Sequence, residues 1–316
     1  MSTTFGNVVY LQHRSIFVTI CFYCSLFIIV RQELFVIDTT QLNTTIIFKV
    51  HMANKQFVNI GSFGDTLYSL CVIKMLGGGD LLIKLNGMDE QTRRLFGREP
   101  DGYHKGRYTQ ADYDFLEPLL KKQDYLTKVA IWNGEADHEP SLSNHWQQHL
   151  IKGWQGNQTE CYALTQGMNI HDPAISKQLL QEPWLTPVEP IVIPGKPIVI
   201  NRTNRYLYGC DGKKWHEWVK QGLGDKAVFL GSPTEHAEFE KEFNVKVEYR
   251  PVKDLLEMAQ IIQGCEQFMG NQSVALCIAI GLGKTFWCEI RKDWNNIKTP
   301  HGLGDVWFPR VNGHYF

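Results

Sequence analysis

Residues 245–290 decide the fold, and they read VKVEYRPVKDLLEMAQIIQGCEQFMGNQSVALCIAIGLGKTFWCEI. Three short runs rich in β-branched and aromatic residues are typical of buried strands, at 245–249, 267–269 and 286–290. Between them, residues 252–263 and 273–282 carry apolar side chains at helical spacing. Strands that alternate with helices in this way predict a parallel, doubly wound α/β sheet.

The same alternation continues toward the amino terminus. Strands are predicted at 198–201 and 227–230, and helices at 213–221 and 234–243. This gives five strands and four helices in a Rossmann-like carboxyl-terminal domain at residues 191–300, followed by a tail at 301–316. Four prolines between 185 and 197 predict an extended linker in front of the domain.

A second α/β unit is predicted before the linker, at residues 52–190. It begins with an apolar run at 57–61, a glycine turn at 62–65 and a helix at 66–76. A strand at 81–85, a helix at 113–122 and a strand at 129–132 follow. Residues 144–154 are also compatible with a helix. The expected fold class is therefore α/β, with two Rossmann-like doubly wound domains that face each other across a cleft and close about a hinge.

Composition argues against several classes of function. The 316 residues carry a net charge of -1, so no global positive field attracts nucleic acid. The eight cysteines lack paired metal spacing, and the CxxC of Cys21 and Cys24 lies inside an apolar run without a strand-helix context. His145 and His149 are spaced i, i+4, but no carboxylate stands at HExxH spacing. We therefore expect no metal site, reduced thiols and a cytoplasmic protein.

The first 51 residues differ from the rest, because residues 16–30 (IFVTICFYCSLFIIV) form an unbroken apolar run. Fifteen residues are short for a membrane-spanning helix, which needs about 20. The run is either a signal-anchor, or an extra strand pair or disordered leader, or non-native sequence upstream of a start at Met52. We favour the last, because a regular fold begins at Lys55. Membrane contact, and a membrane-anchored location, are expected only if residues 16–30 are native and inserted.

The best candidate site lies where a predicted strand turns into a helix at residues 268–276. Asn271 and Ser273 are good helix N-cap residues. The amides of Gln272, Ser273 and Val274 then open a helix at the carboxyl edge of the sheet, which is an anion-binding position. A capped core helix without a ligand is the alternative.

Two further segments carry candidate residues. Asp65 follows the first predicted strand and either acts as a general base or caps the next helix. Arg202 and Arg205 follow the strand at 198–201 and either pair with a diphosphate or stay solvated. Lys213 and Lys214 begin the next helix, where they would add positive charge.

These segments resemble a known family. Three segments resemble parts of the ADP-heptose:lipopolysaccharide heptosyltransferases of glycosyltransferase family 9. They are residues 61–70 (GSFGDTLYSL), 229–238 (FLGSPTEHAE) and 247–289. The similarity covers most of 195–290 and a patch at 57–76. It implies a GT-B fold, a nucleotide-diphosphate-sugar donor as substrate, a glycan or other hydroxyl acceptor, and no cofactor.

The resemblance also implies site roles. Asp65 would activate the acceptor, while Thr203 and Lys213 or Lys214 would bind the donor phosphates. The predicted donor site of an inverting, metal-independent glycosyltransferase consists of these phosphate-binding residues together with Arg202, Asn271, Gln272, Ser273 and Val274. The family's Asp, Gly and His are Gln272, Val274 and Cys277 here. These differences motivate the alternative of a catalytically degenerate protein that binds a nucleotide or glycan without transfer.

Overall fold

The computed structural model describes part of the chain in detail. The described residues are 8–13, 16–21, 26–30, 33–37, 55–59, 62–85, 108–133, 142, 158–204, 207, 210, 212–290 and 313–316. They belong to two compact units, Met1–Ala53 and Asn54–Phe316. The helix expected at 144–154, together with His145, His149 and Arg205, lies outside the described residues.

The first unit contains two antiparallel strand pairs. Strand β1 (Val8–His13) pairs with β2 (Ile16–Cys21), and β3 (Leu26–Val30) pairs with β4 (Glu33–Ile37). Strands β2 and β3 cover most of the apolar run at 16–30, and its β-branched and aromatic composition suits strands. These strands correspond to the extra strand pair among the expectations for this run, and the expectation that residues 1–51 are non-native stays a prediction. Within the described residues, no helix has the length and apolar character to cross a bilayer.

The second unit begins with a three-stranded parallel sheet in the order β5-β6-β7. Its elements in chain order are β5 (Gln56–Asn59), α1 (Phe63–Met75), β6 (Gly79–Ile83), α2 (Gln110–Leu120) and β7 (Leu126–Ile131). Gly78, between α1 and β6, has φ 84°, and a Cβ there would lie 2.1 Å from the Tyr125 carbonyl oxygen. The glycine run predicted to end α1 therefore also permits close backbone packing.

Two helices, α3 (Gln158–Thr165) and α4 (Pro173–Gln181), follow and had not been predicted from the sequence. The proline-rich segment comes next and packs closely against the rest of the unit. The backbone N–H groups of Trp184 and Leu185 donate to the Gly281 carbonyl oxygen at 3.0 and 2.9 Å, and Trp184 Nε1 donates to Leu67 O at 2.8 Å. The segment thus binds a helix from each half of the unit.

The last part of the chain forms a six-stranded sheet in which every pairing is parallel. Its elements in chain order are β8 (Ile198–Asn201), α5 (Lys213–Lys220), α6 (Leu223–Lys226), β9 (Ala227–Phe229), α7 (Pro233–Phe243), β10 (Glu248–Tyr249), α8 (Leu255–Gly264), β11 (Gln267–Gly270), α9 (Val274–Gly281), β12 (Phe286–Cys288) and β13 (Gly313–Tyr315). The spatial order is β10-β9-β8-β11-β12-β13. Counted from β8, this is the doubly wound order 3-2-1-4-5-6.

Strand β13 lies in the segment predicted to be a tail. Phe316 N donates to Cys288 O at 3.1 Å, and Ile290 N donates to Phe316 O at 2.9 Å, so the end of the chain is hydrogen-bonded to β12. The short sequence GHY carries little strand signal, which explains why the sixth strand was not predicted.

Of two hydrophobic cores in the described part of the second unit, one is shared by both sheets. Helix α1 packs on α9, and α2 packs on α8, so each half contributes two helices to the contact. The core includes Phe57, Leu67 and Leu116 from the first half, and Ile262, Leu276 and Ile280 from the second. Hinge closure had been expected from the sequence, and in this structure the halves are joined by direct helix packing.

Candidate functional site

The order of the six strands locates a crevice between β8 and β11. These two strands are neighbours in the middle of the sheet, and the chain continues outward in opposite directions from them. In doubly wound sheets, the loops at the carboxyl ends of two such strands diverge and leave a ligand-binding crevice. The strands end here at Asn201 and Gly270, which lie opposite each other in the register.

The two loops at this crevice are joined by the side chain of Asn271. Its Oδ1 accepts a hydrogen bond from Thr203 N at 2.9 Å, and its Nδ2 donates to Thr203 O at 2.8 Å. Asn271 is fully buried and its own N–H donates to Asn201 O at 3.3 Å. The sequence placed Asn271 and Thr203 in one site, and the structure shows direct contact between them.

Helix α9 begins at the crevice with a side-chain cap. Ser273 is the N-cap residue, and its Oγ accepts from Leu276 N at 3.2 Å. This confirms the predicted capping role of Ser273. The N–H groups of Val274 and Ala275 in the first turn have no acceptor within the helix and carry the positive end of its dipole. Gln272 and Val274 are half-buried at the mouth of this turn.

Arg202 lies beside Thr203, but its guanidinium binds two carboxylates. Nε donates to Glu289 Oε2 at 2.6 Å and Nη1 to Glu242 Oε2 at 2.6 Å, while Nη2 contacts both acids at 3.1 and 3.4 Å. Burial opposes the charge, but the hydrogen bonds that Arg202 donates to Glu289 and Glu242 outweigh it and raise the pKa of Arg202. Four of the five guanidinium donors are therefore used within the protein, which differs from the predicted diphosphate contact.

Lys213 and Lys214 start helix α5 on the same edge of the sheet. Gly212, the N-cap residue with φ 62°, lies against Phe243 and Glu242. Lys214 Nζ donates to Glu217 Oε2 at 2.7 Å, and Lys213 is exposed. The structure thus brings Thr203 and Asn271 into direct contact beside Arg202. Lys213 and Lys214 follow Gly212, which lies near the Arg202 partner Glu242.

Asp65 is the third residue of α1 and forms a capping box. Its Oδ2 accepts from Ser62 N at 3.0 Å and from Ser62 Oγ at 2.9 Å, and Oδ1 accepts from Gln158 Nε2. The capping role of Asp65 is therefore observed. Its role as a general base stays a prediction that this geometry allows, since a carboxylate offers about four lone-pair sites and three of them are used here. The carboxylate is half-buried.

The start of α1 lies against the first turns of α9. Cys277 Sγ, one turn beyond Ser273, lies 3.8 Å from the Gly64 carbonyl oxygen, and Gly64 precedes Asp65. Because α1 belongs to the first half and α9 to the second, the predicted base and the predicted anion site are on adjoining helices.

Buried polar groups surround Asp65 on the first half. Tyr108 OH and Thr66 Oγ1 are 2.6 Å apart, and Thr66 donates to Asn59 Oδ1 at 3.0 Å. Burial, and more weakly the Asp65 charge, raise the pKa of Tyr108 well above its usual value. The same two causes raise the pKa of Tyr162. Both phenols therefore stay neutral near the carboxylate at physiological pH.

Some residues of the site had not been predicted from the sequence. Glu289 is near the end of the strand predicted at 286–290 and directly follows β12 in the structure, so its place near the carboxyl edge was a usable signal. Gln158 and Glu242 gave none, because 133–190 lacks clear periodicity and Glu242 reads as an ordinary surface residue of a helix. In the described residues, no group of three or more His, Cys, Asp or Glu side chains is placed to hold a metal ion.

Comparisons with known proteins give similarity only at the level of structure. No family model matches the chain, and no curated protein matches it in sequence. E. coli heptosyltransferase WaaC with ADP is 10% identical over 82% of this chain and 92% of its own, with a TM-score of 0.47. A family 9 glycosyl transferase from Veillonella parvula is 10% identical over 84% and 86%, with a TM-score of 0.43. E. coli ADP-heptose lps heptosyltransferase II is 12% identical over 83% and 90%, with a TM-score of 0.42.

Proposed function

We propose that this protein is a glycosyltransferase that moves a sugar from a nucleotide-diphosphate donor to an acceptor hydroxyl. One observation carries the proposal: the strand-order reversal at β8 and β11 is bordered by the capped start of α9, and α9 adjoins the start of α1 with Asp65. An anion site and a candidate base thus lie on neighbouring helices from the two halves. The sequence resemblance to heptosyltransferases supports the same function.

The donor diphosphate would bind at the start of α9. The amides of Val274 and Ala275, with Ser273 and the half-buried Gln272, favour negative charge there. Lys213 and Lys214 would add positive charge from α5. Arg202 would act by holding Thr203 and the end of β12 in place through Glu289, since its donors are engaged.

The reaction would proceed by inversion and without a metal ion. The acceptor oxygen attacks the anomeric carbon while its proton passes to Asp65, and the bond from that carbon to the diphosphate oxygen breaks with its electron pair on the leaving group. The amides of α9 would stabilise the developing negative charge, an effect worth about 3 kcal/mol for each well-placed donor.

Binding of a nucleotide or glycan without transfer is the second candidate. The observation that favours it is the internal pairing of two reactive groups: Ser62 and Gln158 bind the Asp65 carboxylate, and Glu242 and Glu289 bind Arg202. The differences from the heptosyltransferase segments at Gln272, Val274 and Cys277 also favour binding without transfer.

The deciding experiment measures binding and turnover separately. ADP, UDP and GDP are titrated by calorimetry, and the sugar conjugates of any nucleotide that binds are tested for transfer and hydrolysis. For Asp65→Asn we expect turnover to fall by about two to four orders of magnitude with nucleotide binding preserved. Unchanged turnover would remove Asp65 from the mechanism, and binding without any turnover in the wild type would support the second candidate.

The chain offers a matched control for this substitution. Asp112 is the third residue of α2 and makes the same capping box with Thr109, at 2.8 Å to both N and Oγ1. Asp112→Asn removes the same charge from the same helical position. We expect it to lower stability through the same weakened capping box, without a comparable loss of turnover.

A further inference from the structure

Gln158 connects the candidate base to a distant part of the chain. It is the first residue of α3 and is 3% exposed, although its side chain is polar. Its Nε2 donates a hydrogen bond to Asp65 Oδ1, across 93 positions of sequence. A carboxylate can only accept hydrogen bonds, so the amide nitrogen of Gln158 faces Asp65 and fixes the orientation of the carboxamide.

The hydrogen bonds of Asp65 leave little rotational freedom to its side chain. Ser62 binds Oδ2 through both its N–H and its hydroxyl, and this places the carboxylate at the start of α1. Gln158 binds the other oxygen from a different element and so fixes the plane of the carboxylate. We propose that Gln158 is a positioning residue that holds Asp65 for proton transfer; this inference rests on the proposed function.

The groups that surround Asp65 determine which contacts hold its carboxylate. Three titratable groups approach it from the packed elements: Tyr162 on α3, Tyr108 before α2, and the Cys277 thiol on α9, which contacts Gly64. None of the three is a cation at neutral pH. The described contacts that hold its carboxylate are hydrogen bonds from neutral donors, and Gln158 is a buried donor among them.

The first measurement tests the contact without any need for activity. In the ¹⁵N-labelled full-length protein, the side-chain amide resonances of Gln158 are assigned by their disappearance in Gln158→Leu. We expect these resonances to shift in Asp65→Asn and to stay in place in Asp112→Asn. Resonances that are indifferent to Asp65→Asn would overturn the inference, whatever the protein catalyses.

The second measurement tests the effect of Gln158 on turnover, with the sugar nucleotide that the binding and transfer experiment described under Proposed function identifies as the donor. Gln158→Leu should lower kcat by about tenfold to a hundredfold with nucleotide affinity unchanged, because a misplaced base slows the chemical step. Gln158→Glu keeps the shape but sets a second carboxylate against Asp65, so at neutral pH it should lower kcat further. A role in packing alone predicts that both variants lose stability, Glu more than Leu because it buries a charge, while kcat of the folded protein stays near the wild-type value.

Gln123 supplies the matched control. It is also buried, at 2% exposure, and its side chain donates to Leu119 O at 2.8 Å and accepts from Thr186 N at 2.9 Å. Gln123→Leu should lower stability without a comparable loss of kcat. Equal kcat in Gln158→Leu and Gln123→Leu would overturn the positioning role. If the amide shift is seen but no donor is turned over by the wild type, the contact stands and the proposed transferase function fails.

Discussion

Asn271 and Thr203 form a pair of hydrogen bonds across the crevice at the centre of the six-stranded sheet. The Asn271 carboxamide accepts from Thr203 N at 2.9 Å and donates to Thr203 O at 2.8 Å, so it satisfies both backbone groups of a residue 68 positions away. This side chain therefore fixes the loop after β8 relative to the start of α9. The predicted donor site depends on that arrangement.

The first prediction concerns this pair. Asn271→Ala should lower the free energy of unfolding by about 2–3 kcal/mol, because it leaves the Thr203 backbone groups without their partner. It should also weaken nucleotide binding, since the loop is no longer held. Urea denaturation and calorimetry measure the two effects. Asn169→Ala is the control, because exposed Asn169 makes a local contact with His171 N at 3.1 Å. Equal stability losses in both variants would contradict the prediction.

The second prediction compares the two carboxylates that bind Arg202. The Glu289 side chain is 3% exposed and that of Glu242 is 46% exposed, although both approach the guanidinium to 2.6 Å. Glu289→Gln should cost about 3 kcal/mol or more, because it leaves a buried charge partly unpaired. Glu242→Gln should cost about 1 kcal/mol or less, because water screens that pair. Urea denaturation curves for the two variants give the difference, and similar losses would argue against the buried pair.

The third prediction uses a close approach of two strands. A Cβ on Gly270 would lie 2.1 Å from the Asn201 carbonyl oxygen, so Gly270→Ala must push β11 away from β8 at the crevice. We expect destabilisation on the order of 3 kcal/mol. At Gly64 a Cβ would meet nothing within 4 Å, and Gly64→Ala in helix α1 should leave the melting temperature unchanged or slightly higher. Thermal unfolding of both variants tests the pair, and a stable Gly270→Ala protein would refute the steric argument.

The fourth prediction concerns pH. Lys246, with further help from Val247 N, holds the pKa of Glu240 below its usual value. A carboxylate with a lowered folded-state pKa adds stability above its unfolded pKa of about 4.3 and loses it as pH falls through the folded value. Glu240→Gln should therefore be less stable than the wild type by about 1 kcal/mol at pH 7.

The difference between wild type and Glu240→Gln should shrink as pH falls below about 4, where the wild-type carboxylate becomes protonated. Chemical denaturation at a series of pH values measures it. Glu248 is the control, because its contact with Lys196 is 3.8 Å long and its side chain is 48% exposed. A stability difference that does not change with pH would show that the charge of Glu240 makes no contribution.

Most of the second half was predicted from local patterns. The helices at 213–221, 234–243 and 273–282 match α5, α7 and α9 to within one or two residues at each end. Their amphipathic spacing or capping residues lie within a single element, so a short window of sequence contains the whole signal. Helices α3 and α4 were missed because residues 133–190 mix Trp, Gln, His and Asn without a clear period.

The candidate site was predicted in its location but not in its contacts. Asn271 and Ser273 were expected at the start of a helix, and Ser273 caps α9 there. The partners of Arg202 were not predictable, because the position of a basic residue after a strand does not indicate whether it binds a phosphate or a carboxylate. Glu242 and Glu289 are 40 and 87 positions away.

Local patterns in the sequence were sufficient to predict the second half as a parallel α/β sheet with capped helices at its carboxyl edge. Hydrophobic periodicity and capping are local properties, and they act within each element. The folded unit was needed to establish the strand order, the pairing of Gly313–Tyr315 with the sheet, and the contact between Gln158 and Asp65. These depend on contacts between residues far apart in the chain, whose energies come from the packing of the whole unit and leave no periodic trace in the sequence.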